Sequence, residues 1–214
     1  MNSPAEFVPL AGAARVPRPA FAREIDEAAI AAVTGLYREV FAPGGAILDV
    51  MSGWLSHLPP EVPYKRVVGI GIEAGELAEN PFLDEWRVQD LNRDPRLPFA
   101  AGEFDGAAIC VSVQYLTRPC QVIREIGRVL KPGGPLIVTF STCCRPRPAI
   151  ACWRIFDDAG HLCLVAHYFA EAGNWTDLRC LDRTPSRAGA PLYAVIGRSL
   201  GPASADAAAC DQVS

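Results

Sequence analysis

Residues 90–140 read Asp90-Leu91-Asn92, Leu97-Pro98-Phe99, Phe104-Asp105 and an apolar run to Leu116, then Leu130-Lys131-Pro132-Gly133-Gly134 and Pro135-Leu136-Ile137-Val138-Thr139-Phe140. The two apolar runs, at 106–113 and 135–141, are short and apolar at nearly every position, which predicts strands covered on both faces. Between them Val122, Ile123, Ile126, Val129 and Leu130 recur at helical spacing. Thr117 is placed to cap that helix, and Pro119 is tolerated in its first turn. The Lys131-to-Gly134 segment stops it, with Gly133 as the left-handed residue. Strand, helix and strand in that order make a parallel crossover unit.

The same alternation continues outward. Ile25, Ala29, Ile30, Val33, Leu36, Tyr37, Val40 and Phe41 predict a helix over 21–41, ended by Pro43-Gly44-Gly45. Strands follow at 46–50, 66–72 and 86–90, with a short helix over 73–80 stopped by Pro81. Beyond residue 141 the pattern predicts helical stretches at 149–156 and 160–172 and strands at 175–181 and 192–198. The fold class is therefore α/β: a doubly wound, mostly parallel sheet of about seven strands, with room for an antiparallel hairpin at its C-terminal edge. The expected organisation is a leader over 1–20, one domain over 21–199 and a small, polar tail over 200–214.

The chain has 214 residues, half of them hydrophobic and 21% charged, enough for one well-filled core. The 20 Lys and Arg are outnumbered by 24 Asp and Glu, a net charge of −4, which disfavours binding to a nucleic-acid backbone. No apolar run approaches the ~20 residues that span a bilayer, so no membrane span is expected. The 8 cysteines include no CxxC pair. Cys110 falls in a strand, Cys120, Cys152 and Cys163 in helices, and Cys143-Cys144 are adjacent, which favours reduced thiols, an intracellular setting and no metal site. Arg15 and Arg18 with the lone acid Glu6 leave two readings of residues 1–20, an organelle-targeting remnant or a plain leader.

The order of motifs from Asp90 to Phe140 resembles the C-terminal half of the Rossmann-like, S-adenosylmethionine-dependent methyltransferases, in particular the type-11 domain subgroup that includes quinone-biosynthesis C-methyltransferases. The run Leu48-Asp49 to Trp54-Leu55-Ser56-His57-Leu58-Pro59 resembles an uncharacterised branch of such proteins with an altered glycine loop. The resemblance covers roughly residues 46–140. It implies S-adenosyl-L-methionine as cofactor, a small-molecule acceptor, and a site at the C-terminal ends of the strands.

In that family the first strand is followed by three glycines at alternate positions; here those positions hold Met51, Gly53 and Leu55. Glycine lets the backbone turn tightly and approach a ligand, so the altered loop narrows or reshapes the pocket. Asp49 is retained, and Trp54 is placed to meet a sulfonium by a cation–π contact. As alternatives, Asp49 caps a turn and Trp54 is a partly buried aromatic. The family's ribose-binding acid at the end of strand two is Gly71 here; Glu73 shares its strand parity and would replace it if the strand extends so far. A first-turn helix acid is the preferred reading of Glu73. Asp90 falls at the family's adenine-contacting acid, and Leu91 offers the adjacent amide. Val111, Ser112, Gln114 and Tyr115 follow strand four, where cofactor and acceptor meet.

Methyl transfer needs positioning, water exclusion and, for a protonated acceptor, a base. His57, Tyr115 and His167 are the weak candidates for that base. Cys143-Cys144 beside Arg145 raises a minor alternative of soft-ligand chemistry. Tyr37, Trp153, Phe156, Tyr168 and Phe169 fit an apolar or aromatic acceptor and equally fit ordinary packing. With two loop glycines and the strand-two acid gone, a non-catalytic binding or scaffold protein is the alternative function. A nicotinamide dehydrogenase is disfavoured because GxGxxG is missing.

Overall fold

The computed structural model describes residues 25–141, 149–185 and 190–202, with the backbone alone at 151 and 152. The expected leader, most of the expected tail and the Cys143-Cys144 pair lie outside the described residues. Seven strands form one sheet: β1 (Ala46–Val50), β2 (Arg66–Gly71), β3 (Glu85–Val88), β4 (Gly106–Cys110), β5 (Pro135–Phe140), β6 (Trp175–Asp182) and β7 (Tyr193–Ser199). Their order is β3-β2-β1-β4-β5-β7-β6. The first five strands are parallel, and β7 pairs antiparallel with both β5 and β6, giving the expected C-terminal hairpin. The order reverses between β1 and β4, the point where an open α/β sheet leaves a crevice beyond its strand ends.

Helices cover both faces. α1 (Glu27–Val40) starts at Asp26, whose carboxylate accepts from the Ala29 amide at 2.8 Å. α2 (Ala74–Glu79) is a single turn and a half, while α3 (Pro119–Val129) and α4 (Asp158–Ala172) are longer. Period-two alternation splits the core. Leu48, Val50, Val68, Ile70, Ile109, Leu136 and Val138 pack toward α3 and α4, whereas Ile47, Val67, Ala108 and Ile137 pack toward α1 and α2.

Three local expectations are corrected. Strand four stops at Cys110, because Val111 sits at φ 47°, in the left-handed region, and a 3-10 turn (Val113–Tyr115) follows. Thr117 does not cap α3; Arg118 holds that position, and Thr117 donates its amide (2.7 Å) and hydroxyl (3.0 Å) to Asn92 Oδ1. The stretch at 149–156 is not an α-helix but a 3-10 turn (Ala151–Arg154), closed by the Trp153 amide on the Ile150 carbonyl at 3.0 Å.

Candidate active site

Strand parity places Asp49 on the same face as Ile47, toward α1, and 6% exposed. The hydroxyls of Ser52 (2.6 Å) and Ser56 both donate to its Oδ2. Asn80, at the end of α2, donates to Ser56 Oγ and to the Gly53 carbonyl, each at 2.9 Å, while its Oδ1 accepts from the Phe82 amide at 3.1 Å. A buried polar network thus ties the loop after β1 to the far end of α2. Burial raises the Asp49 carboxyl to about 6, against the two serine hydrogen bonds that lower it.

The loop follows β2 instead of arching away from it. Met51 takes φ 57°, a conformation that costs an L-residue of the order of 1–2 kcal/mol, at the first of the family's glycine positions. Directly after it, the Ser52 amide donates to the Ile70 carbonyl at 2.8 Å. That pairing lays the Ser52 carbonyl over Gly71: a Cβ on Gly71 would lie 2.3 Å from this oxygen. No side chain, and hence no acid, fits at the end of β2 while the loop keeps this path. The altered loop and the missing acid are one structural change.

Strand β2 ends at Gly71, short of Glu73, which is exposed beside α2 with no cap bond from its side chain. The parity argument for Glu73 therefore does not apply. The acid that approaches the loop is Glu76, whose Oε2 lies 3.2 Å from where a Cβ on Gly53 would stand. Glycine at 53 is what lets this carboxylate come against the backbone. Sequence reasoning passes over Glu76 as long as α2 is treated as one short unit without its rotation; the three-residue step from Glu73 is the available signal.

At the end of β3, Asp90 is exposed, and its Oδ1 accepts from the Asn92 amide at 2.9 Å. Leu91 is buried in the core below it. Asn92 carries its side chain across to the β4 side, donating to the Tyr115 carbonyl at 3.0 Å while it accepts from Thr117. Trp54 and His57 are half-buried in the β1 loop, and the His57 carbonyl accepts from Thr34 Oγ1 of α1 at 3.0 Å.

Beyond β4 the backbone is strained a second time. Val111, a β-branched residue at φ 47°, is held there by its amide on the Thr139 carbonyl (2.9 Å) and by Gln114 Nε2 on its own carbonyl (2.8 Å). Met51 and Val111 stand at the ends of β1 and β4, on either side of the switch point. Ser112 and Gln114 are buried and Tyr115 is half-buried. The Gln114 carbonyl accepts from the Ile150 amide at 3.0 Å, which draws the segment carrying Trp153 over the ends of β4 and β5.

Of the two histidines on α4, His167 is exposed and His161 is 4% exposed. Sequence reasoning selects His167 and overlooks His161. The signal is present: His161, Val165, Tyr168, Phe169 and Ala172 follow one helical stripe, all buried, and His167 falls off it. Asp49, Gly53, Trp54, Glu73, Val111 and Ser112 thus lie around the strand ends near the switch point, with Asp90 and Leu91 at the outer β3 end; His167 stands apart.

Residues 50–138 match the family profile described as methyltransferase domain, of the type 11 group. The seven-stranded sheet in this strand order is the Rossmann-like fold that S-adenosylmethionine-dependent methyltransferases also have. A curated relative, the demethylmenaquinone methyltransferase of Symbiobacterium thermophilum, is 33% identical over 108 residues, 45% of this chain and 43% of the relative. The chain thus matches less than half the length of that relative. A solved S-adenosylmethionine-dependent methyltransferase from Mesorhizobium loti has the same fold (TM-score 0.57, 15% identity, 78% of this chain and 97% of that one). So has the Haemonchus contortus phosphoethanolamine N-methyltransferase 2, solved with S-adenosyl-L-methionine (TM-score 0.58, 13% identity, 79% and 52%).

Proposed function

We propose that the protein is an S-adenosylmethionine-dependent methyltransferase acting on a small apolar or aromatic acceptor. The observation that carries this reading is that the matched segment runs from the last residue of β1 to β5, through every strand end that borders the switch point. The quinone for which the Symbiobacterium relative is named is compatible with such an acceptor.

The residues fit the cofactor's chemistry. A sulfonium and an α-ammonium are cations, and Asp49 and Glu76 bring two carboxylates to the loop. Glu76, against the bare Cα of Gly53, takes the place of the strand-two acid, and Glu73 stays in solvent. Asp90 and the Leu91 amide hold the base-bearing end, and Trp54 offers an aromatic face to the sulfonium. Val111 and Ser112 border the reacting end. When bound, S-adenosylmethionine supplies an already activated methyl group; the chain's part is to orient it, exclude water and accept the acceptor's proton.

A thermal-shift titration with S-adenosylmethionine and S-adenosylhomocysteine, checked by calorimetry, tests the reading. Ligand at ~100 times its dissociation constant adds ~2.7 kcal/mol, a rise of about 5–10 °C for a chain of this size. Asp90→Ala is expected to reduce that rise. The second reading, a methyltransferase-like binding or scaffold protein, is favoured by the Ser52 carbonyl lying over Gly71, where the family places its ribose acid. A wild-type protein unshifted by either ligand at millimolar concentration selects it.

A further inference from the structure

His161 carries a lone pair that meets no partner among the described residues. Its Nε2 lies 2.7 Å from the carbonyl oxygen of Trp153. A carbonyl only accepts, so the hydrogen of the neutral ring must sit on Nε2, and Nδ1 is left as a bare acceptor. That Nδ1 is buried and has no hydrogen-bond partner among the described residues. The ring is held flat by Trp153, with centroids 4.2 Å apart and planes 30° apart, and Trp153 in turn stands edge-on to Phe140 at the end of β5.

Other buried polar atoms left without partners gather at the same strand ends: Trp153 Nε1, Gln114 Oε1 and Ser112 Oγ. Each follows β4 or β5 and is linked to the next by the contacts described above, from the Val111 carbonyl through Gln114 and Ile150 to Trp153. An unsatisfied buried polar group costs about 1–3 kcal/mol, and native proteins hold only a few per hundred residues. With His161 Nδ1 they are four of the eleven such atoms among the described residues, and at this end of β4 and β5 they offer donors and acceptors to a polar group.

We propose that His161 is a catalytic residue of this site, its Nδ1 the base that takes a proton from a hydroxylated aromatic acceptor, with Gln114, Ser112 and Trp153 anchoring the same hydroxyl-bearing edge. The inference rests on the methyltransferase reading and specifies its substrate class. As the acceptor's oxygen bonds to the methyl carbon, the carbon–sulfur bond breaks and its electron pair stays on sulfur. The hydroxyl proton moves to Nδ1. The resulting imidazolium keeps its Nε2 hydrogen on the Trp153 carbonyl and releases the Nδ1 proton to water when product leaves. Enclosure by Trp153 and Phe140 keeps water from competing for the methyl group.

Nitrogen-15 NMR of the imidazole rings tests this without turnover, and with three histidines in the chain the variants His57→Gln and His167→Gln assign the spectrum. The expected form of His161 has hydrogen on Nε2 and a bare Nδ1; a neutral ring protonated on Nδ1 overturns the proposal. In protein loaded with S-adenosylhomocysteine, 1,4-naphthohydroquinone is expected to shift the Nδ1 signal saturably, and 1,4-dimethoxynaphthalene, which has no proton to give, to leave it in place. Failure of the hydroquinone to bind the loaded protein, or an equal response to both compounds, overturns it.

Transfer of a labelled methyl group to the hydroquinone then separates base from scaffold. His161→Gln retains a donor for the Trp153 carbonyl and lacks the basic lone pair. It is expected to keep its melting temperature and its affinity for S-adenosylhomocysteine while turnover falls at least ~100-fold. Trp153→Phe, which keeps the stacking ring, is expected to weaken hydroquinone binding and spare the cofactor. A wild-type protein that binds the hydroquinone without methylating it, or a His161→Gln variant of undiminished rate, overturns the proposal. If wild-type protein does not bind S-adenosylhomocysteine, it is the methyltransferase reading that fails, and the tautomer result stands by itself.

Discussion

Glu73 and Glu76 differ by three positions and by their whole environment. The first is exposed beyond the end of β2, and the second reaches the backbone of Gly53. If Glu76 holds the ribose or ammonium, Glu76→Gln is expected to weaken S-adenosylhomocysteine by about tenfold, near 1.4 kcal/mol. Glu73→Gln is expected to leave it unchanged within twofold; calorimetry on both variants reads the difference. Gly71 tests the loop's path from the other side. Gly71→Asp would restore the family's acid, but its Cβ would meet the Ser52 carbonyl. A loss of at least ~2 kcal/mol in urea denaturation is expected, because backbone oxygen cannot turn away as a side chain does. Neither relation was legible in the chain. Identity and spacing reveal that an acid is missing, whereas what stands in its place is a carbonyl from a residue nineteen positions earlier.

Among the elements, those built from apolar periodicity follow their sequence closely. The five residues that the spacing singled out for α3 are all buried, Leu130 as its C-cap, and β5 is buried at every position. Elements governed by single hydrogen bonds do not. The run at 106–113 is apolar at nearly every position, yet the strand ends at Cys110 because the bonds to Thr139 and Gln114 hold Val111 in a left-handed turn. The loop after β1 is of this second kind, with Asn80 as its clasp. Asn80→Ala removes the donor to Gly53 and Ser56 and the acceptor for Phe82. It is expected to lower stability by about 2–3 kcal/mol and to speed amide hydrogen exchange over residues 52–58 while exchange in β4 and β5 follows the global loss.

For the folded molecule as a unit, Asp49 sets a pH dependence of unusual sign for a carboxylate. Its folded-state value of about 6 stands above the ordinary 3.8. The native protein therefore binds a proton more tightly than the unfolded chain does, and this group's contribution to stability rises as pH falls from about 6 toward 4. Above pH 6 the buried charge opposes folding by roughly 3 kcal/mol relative to an exposed carboxylate. Asp49→Asn is expected to be more stable than wild type at pH 7–8, with the advantage shrinking toward pH 4; urea midpoints across that range check it. A constant difference would show that Asp49 does not titrate there. Burial of the charge was not readable from the chain, where Asp49 had both a ligand-facing and a turn-capping reading.

The contact between the Ser52 carbonyl and Gly71 also constrains how such a chain can change by descent. A protein with this loop cannot first acquire the acid at the end of its second strand, because that step collides with its own backbone. It can first reroute the loop, since glycine at 71 tolerates either path, and gain the acid afterwards. Run backwards, a three-glycine ancestor must lose its acid before its loop can settle onto β2. The two features are linked by order, and a history that begins with the wrong one passes through a poorly folded intermediate.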